Sequence, residues 1–220
     1  MLAPAVLTAA LVLFFGFRGT GGESLDLWVQ SFFWQDGAWM VPKDSGLFHK
    51  IAYSGPKALI ILWSIFLIGV AAVPARAPAW INRRRALYLL ACLAVVTVLC
   101  TQLRAVSHMA TPSALKLYGG GQWPHLLLFE AKPVGYPSNA FPAGHASGGF
   151  ALISLFFAWA EPAFRRRGLV VALLVGGWMG LYQIARGEHF LSHTVVTAAL
   201  AWLVCAGLAR LIRPTEDPAA

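Results

Sequence analysis

Six long apolar segments constrain the fold of this chain more than any other feature of its sequence. They are Leu2–Phe17, Pro56–Val73, Ala86–Leu103, His145–Ala160, Gly168–Ala185 and Phe190–Ile212. A helix that crosses the hydrocarbon core of a bilayer needs about 20 mostly apolar residues. The chain is 58% hydrophobic and 12% charged, whereas a soluble domain carries about 25% charged residues. We therefore expect an all-α, polytopic membrane protein with six transmembrane helices, folded as a single domain over residues 1–220.

The arginines between these segments indicate how the chain crosses the bilayer. Clusters lie at 83–85, at 165–167 and at Arg210 and Arg213, and basic residues in short loops mark the cytoplasmic side. Six crossings put all three clusters on that side, with both termini cytoplasmic. Because the net charge of +8 resides largely in such clusters, we expect a membrane rather than nucleic acid as the partner. No Lys or Arg precedes the first segment, which favours a retained helix over a signal peptide.

Three connections then face the outside. The first, Arg18–Lys50, is rich in Trp and Phe. Such residues settle at the membrane–water boundary, so an interfacial or re-entrant helix is expected there. The second, Arg104–Gly144, contains three consecutive glycines and several prolines, and the third, Arg186–Glu188, is very short.

Polar groups collect at the outer ends of four segments. Arg104, His145, Arg186 and His189 mark the outer ends of the third to sixth segments. Taken singly, each has an ordinary explanation, such as an arginine that reaches the headgroups or a histidine bonded to solvent. Together they favour a phosphate site, because histidine can act as nucleophile or general acid near neutral pH and arginine can clamp phosphoryl oxygens.

The residues around His145 strengthen this interpretation. Pro142 suits the first turn of a helix, and the small residues Ala143 and Gly144 leave the following backbone amides uncovered. A helix N-terminus of this kind binds anions, because its free N–H groups and its dipole both face the ligand. A bound phosphate would then lie beside His145, with Ser147 offering a hydroxyl.

Neither a cofactor nor a metal is expected. The three cysteines, at positions 92, 100 and 205, all lie inside apolar segments and form no CxxC pair, which predicts small buried side chains. A metal site built from His108, His125, His145 and His189 is conceivable, but no close His/Asp spacing supports it.

Three short motifs follow one another along the second half of the chain. In the first, Arg104 is followed after six residues by Thr111 and a proline. The second is Pro-Ala-Gly-His, which ends at His145, and the third places His189 four residues before His193. In these motifs and their order, the chain resembles the type 2 phosphatidic acid phosphatase superfamily of membrane lipid phosphatases. The resemblance covers about 104–209, together with the six-helix layout.

The superfamily motifs read Lys-x6-Arg-Pro, Pro-Ser-Gly-His and Ser-Arg-x5-His-x3-Asp. The chain departs from each of them. Arg104 replaces the lysine of the first motif and Thr111 its arginine, and Ala143 replaces the serine of the second. In the third, Gln183 occupies the arginine position and His193 the position of the aspartate that orients the nucleophile. Arg186 lies three residues after Gln183, and residues three apart share a helix face, so Arg186 is expected to supply the missing charge.

The resemblance implies a metal-independent phosphatase without cofactors, acting on a lipid phosphate at the outer face of a bacterial-type inner membrane. The implied catalytic residues are His189 as nucleophile, His145 as general acid, and Arg186 and Arg104 as charge stabilisers. The expected substrate-binding residues are Ala143, Gly144, Thr111, Ser147, His193 and Lys132. Two alternatives remain open: a phosphotransferase that moves phosphate between lipids, and a non-catalytic lipid-binding, anion-binding or transport protein. The sequence names neither the lipid nor the oligomeric state.

Overall fold

The computed structural model describes residues 2–43 and 46–216. Within those ranges the α-helices are α1 (Leu2–Gly16), α2 (Gly22–Ser31), α3 (Gly46–His49), α4 (Gly55–Ala72), α5 (Arg83–Ser107), α6 (Gly144–Ala151), α7 (Ser154–Ala158), α8 (Pro162–Ala185) and α9 (Leu191–Ile212). A π-helical turn, Lys50–Ser54, joins α3 to α4, and 3₁₀ turns lie at Pro74–Arg76, Pro112–Ala114 and Lys116–Tyr118. A two-stranded antiparallel hairpin of β1 (Trp34–Gln35) and β2 (Ala38–Trp39) follows α2.

Four helical stretches are long and apolar enough to cross a membrane. They are Gly46–Ala72, Arg83–Ala114, Pro162–Ala185 and Leu191–Ile212. The first and fourth predicted spans form shorter apolar helices, Leu2–Gly16 and Gly144–Ala158. At 15 residues, α1 is about 22 Å long, against a hydrocarbon thickness of roughly 30 Å. The helical class is therefore confirmed, with four candidate membrane spans of full length, and the count of six stays a prediction.

The core is formed where α5 packs against α4, α6 and α9. Tyr88 of α5 is fully buried, and its hydroxyl donates to the carbonyl oxygen of Cys205 in α9 at 3.0 Å. All three cysteines are buried, as expected.

Helices α6 and α8 approach each other through glycines. A Cβ built on Gly149 would lie 2.6 Å from Cα of Gly176, and one on Gly176 would lie 2.5 Å from the ring of Phe150. Only residues without a side chain permit backbones this close. The crossing sets the position of the N-terminus of α6, and therefore of His145.

The aromatic-rich connection forms the helix expected there, α2, and the side chains that it buries most deeply are polar. Gly22, Asp26 and Gln30 are the buried residues of α2, whereas Trp28 is 60% exposed. Leu25 and Leu27 are half-buried against the core, and Ser24 and Trp28 are exposed. An exposed tryptophan suits a helix lying at a membrane boundary.

Candidate active site

The ends of α5, α6, α8 and α9 that carry the predicted histidines and arginines enclose a cavity of about 190 Å³. It is lined by Tyr53, Arg104, Thr111, Asn139, His145, Gln183, Arg186, Glu188 and His189. All four predicted catalytic side chains and Thr111 therefore lie around one space. The arginine clusters lie at the other end of the helices, where Arg84 donates to the carbonyl oxygen of Ile212.

His145 lies in the first turn of α6 and lines the cavity next to Tyr53. Its Nε2 is in hydrogen-bond contact with the Tyr53 hydroxyl, and the two ring centroids are 4.4 Å apart. Tyr53 lies in the π-helical turn before α4, and the His49 ring stacks on its other side at 4.6 Å. Such turns are frequent at functional sites.

His189 lies in the short loop between α8 and α9 and is only 4% exposed. Its Nδ1 is 3.3 Å from Nδ1 of His193, one helical turn further on. Burial, followed by the positive charge of Arg104 and the neighbouring His145, lowers the pKa of His189 to about 3. The imidazole of His189 is therefore neutral at physiological pH and keeps a lone pair for attack.

Arg104, in the last turn of α5, lies over the N-terminus of α6. Its Nε and Nη2 donate to the carbonyl oxygen of Asn139 at 2.8 and 2.6 Å. A Cβ on Gly144 would lie 2.6 Å from Nη1 of Arg104. Glycine at 144 thus makes room for the guanidinium, a role distinct from exposing an amide.

Arg186 and Gln183 both reach the cavity, from the end of α8. Arg186 is 9% exposed, and its Nη2 donates to the carbonyl oxygen of Lys43 at 3.0 Å. Nε of Arg186 and Oε1 of Gln183 are buried without a hydrogen-bond partner among the described residues. Buried polar atoms are ordinarily paired, so these two are the groups that a ligand in the cavity would satisfy.

Of the six predicted substrate-binding residues only Thr111 lines the cavity; the other five, Gly144 beneath Arg104 among them, do not. The Ala143 amide donates to Oγ1 of Thr197 at 2.8 Å, and the Ser147 hydroxyl donates to the carbonyl oxygen of Gly144 at 2.6 Å. His193 is fully buried behind His189. The Lys132 ammonium donates to the backbone oxygens of Leu128 and Glu130 in a separate cavity. Lys132 turns inward because its loop offers it carbonyl groups.

Tyr53 and Asn139 line the cavity but were not identified from the sequence. Tyr53 lies 92 positions from His145, and Asn139 contributes its backbone oxygen. Neither residue belongs to a motif. The aromatic pair His49 and Tyr53, four residues apart, is the one sequence signal that could have indicated Tyr53. Among the residues that the structure describes, no three His, Cys, Asp or Glu side chains are grouped as a metal site.

Fold and cavity together define a helical protein of the membrane class with a histidine- and arginine-lined cavity at one end of its helices. A model of the PAP2 superfamily matches residues 85–216, and the chain belongs to this superfamily, which is generally one of phosphatases. No curated protein and no solved structure matches the chain significantly. The match begins within α5, so α1 to α4 precede it.

Proposed function

We propose that this protein is an integral-membrane lipid phosphatase that hydrolyses a lipid phosphomonoester or diphosphate through a phosphohistidine. The observation that carries the proposal is the single cavity that joins His145 and His189 with Arg104 and Arg186, in a chain of the PAP2 superfamily. Cationic side chains around a neutral, buried imidazole favour a dianionic phosphate as the ligand.

In the first step, His189 attacks phosphorus. Because its Nδ1 is engaged with His193, Nε2 is the nitrogen that forms the bond, and Nδ1–H then donates to His193. The bond to the lipid oxygen breaks as His145, held protonated by the phosphate dianion bound beside it, transfers its proton to that oxygen. The leaving oxygen takes the place beside Nε2 of His145 that the Tyr53 hydroxyl fills in the structure, so Tyr53 gives way to substrate.

In the second step, water attacks the phosphohistidine. Neutral His145 accepts a proton from the water, the P–N bond breaks, and phosphate leaves His189 as it was. Arg104 and Arg186 stabilise the charge on the equatorial oxygens through both steps.

An apolar groove supports a lipid as the substrate. It has a volume of about 510 Å³ and runs between α4 and α8, lined by Pro56, Leu59, Ile60, Trp63, Leu152, Leu155, Val171, Leu174, Val175 and Trp178. Nε1 of Trp178 donates to the carbonyl oxygen of Ala52 at 3.0 Å, beside Tyr53. A lipid tail in this groove would bring its headgroup to the turn that borders the cavity.

The test is a panel of lipid phosphates given to the purified protein in detergent: phosphatidic acid, phosphatidylglycerophosphate, a polyprenyl diphosphate and lipid A. We expect inorganic phosphate to appear as fast as lipid phosphate is lost, and His189→Ala to abolish both. His108→Ala, an exposed histidine outside the cavity, is the control and should leave the rate unchanged. Loss of lipid phosphate without free phosphate would identify a transferase, and no turnover of any lipid would contradict the proposal.

A further inference from the structure

Helix α2 buries polar side chains against the loop that carries His189. Its buried positions 22, 26 and 30 are spaced by four residues and form one stripe along the helix. Asp26 is 2% exposed and Gln30 is fully buried. Buried polar groups carry a free-energy cost unless they are hydrogen-bonded, so the partners of these two side chains indicate what the helix does.

Gln30 contacts the last turn of α8. Its Nε2 donates to the carbonyl oxygen of Ile184 at 2.9 Å. The same oxygen also accepts from the Gly187 N–H at 3.0 Å, in the turn that ends the helix. Gln30 therefore fixes the point at which α8 ends and the loop with Arg186 begins.

Asp26 contacts the first turn of α9. Its Oδ1 accepts from the backbone N–H of Ser192 at 2.7 Å. The residue at the N-cap position of α9 is Phe190, which makes no side-chain cap. A carboxyl oxygen from another helix thus supplies the acceptor that Ser, Thr, Asp or Asn at that position would ordinarily provide.

The two hydrogen bonds hold the loop from both ends, and Arg186 and His189 lie between them. Other residues before α3 hold its middle: the Lys43 ammonium is 3.4 Å from the Glu188 carboxylate, and the Trp39 ring lies against Gly187, where a Cβ would come within 2.4 Å. The residues that hold the loop, Asp26, Gln30, Trp39 and Lys43, all precede the range matched by the superfamily model.

We propose that Asp26 and Gln30 are positioning residues, through which α2 holds His189 and Arg186 in the geometry needed for phosphoryl transfer. The inference rests on the proposed function. It assigns a task to a helix outside the matched range, and it explains why α2 buries two polar side chains.

Asp26→Leu and Gln30→Met remove the acceptor and the donor, and Asp26→Asn retains an oxygen acceptor. We expect Asp26→Leu and Gln30→Met to lower kcat at least tenfold with KM changed less than threefold, and Asp26→Asn to stay within about threefold of the wild type. Ser24→Leu, a matched change on the exposed face of α2, should behave as the wild type. Gln30→Met changes side-chain volume little, so it carries the test if Asp26→Leu does not fold.

Hydrogen exchange separates this inference from the function itself. In the purified proteins, amides of 185–192 should exchange faster in Asp26→Leu and Gln30→Met, while those of α5 keep the wild-type rate. Wild-type exchange at 185–192 in both variants would overturn the inference, whether or not the protein hydrolyses lipids. Absence of phosphate release by the wild type would instead overturn the proposed function, and with it the catalytic purpose of the contacts.

Discussion

His193 occupies the position, four residues after His189, at which the superfamily motif has an aspartate. The structure places its Nδ1 3.3 Å from Nδ1 of His189, so an imidazole stands where a carboxylate would orient the proposed nucleophile. A neutral ring fixes the tautomer of His189 but stabilises the positive charge that develops on it less than a carboxylate does.

We expect His193→Phe, which replaces the imidazole by an aromatic ring without nitrogen, to lower kcat at least about tenfold, because loss of an orienting partner costs up to roughly 10⁴-fold in a catalytic triad. His193→Asn retains an oxygen acceptor and should lose less. Steady-state kinetics on the preferred lipid measure the difference. Equal activity of His193→Phe and the wild type would remove the orienting role.

A second prediction at the scale of single residues concerns Arg186 and Gln183. Arg186→Ala should slow turnover by about 10²–10³-fold, as for the loss of one donor that stabilises the transition state, and Arg186→Lys should also be damaging, because lysine lacks the bidentate fork. Gln183→Ala should cost much less. Values of kcat at equal expression decide the matter, and a larger loss at Gln183 would refute the displacement of the arginine.

Asp26 predicts a dependence of stability on pH. Burial raises the pKa of its carboxyl from 3.8 to about 7, although the hydrogen bonds to Ser192 act in the opposite direction. Glu23 on the same helix also raises the pKa, and Tyr118 is the other titratable group that interacts with Asp26. Because the folded state favours the protonated carboxyl, protonation of Asp26 stabilises the fold. This stabilisation is complete below about pH 4 and is lost as the pH rises towards 7.

Between pH 5 and 8 the wild type should therefore lose roughly 2–3 kcal/mol of unfolding free energy through this group. Asp26→Asn cannot titrate and should show a correspondingly flatter profile. Thermal unfolding in detergent at both pH values provides the measurement. Parallel profiles for the two proteins would show that Asp26 is ionised in the folded state as readily as in the unfolded chain.

At the scale of elements, the crossing of α6 over α8 depends on glycine at 176 and leaves 177 free. A Cβ at 176 would lie 2.5 Å from the Phe150 ring, whereas nothing lies within 4 Å of one at 177. Gly176→Ala should destabilise the protein by about 1–3 kcal/mol through overpacking. Gly177→Ala, the matched control, should be neutral or stabilising by up to about 1 kcal/mol, because alanine favours the helix. Equal melting temperatures of the two variants would show that α6 and α8 accommodate a methyl group at 176 without loss of stability.

At the scale of the whole molecule, the arginine clusters and the cavity lie at opposite ends of the helices. Basic loops remain cytoplasmic, so we predict that the cavity opens to the exterior. Val134 is fully exposed on the cavity side, and Arg166 lies in the cluster near the start of α8. A cysteine is placed at each position in turn. The three native cysteines are buried and should not react with an impermeant thiol reagent.

On intact cells, Val134→Cys should be labelled at once and Arg166→Cys only after permeabilisation. The reverse pattern would invert the orientation and place the site in the cytoplasm.

Much of the helix layout was predictable, because hydropathy and helix-breaking residues act locally. The predicted segment Phe190–Ile212 became α9 with nearly the same bounds, and Gly168–Ala185 became α8, which ends as predicted but begins earlier, at Pro162. Their positions at the outer ends of four predicted segments also indicated that Arg104, His145, Arg186 and His189 would share one level. The lengths of α1 and α6 were less predictable, because a short apolar helix and a full span look alike in composition.

By itself, then, the sequence determined the membrane class, the superfamily and the four side chains at the centre of the cavity. Only the tertiary structure decided which groups surround them. Tyr53 meets His145 across 92 positions and Asp26 meets Ser192 across 166, whereas Lys132 turns away to carbonyls of its own loop. These contacts depend on how helices pack and on which backbone groups are left unpaired. No local pattern of residues records such information.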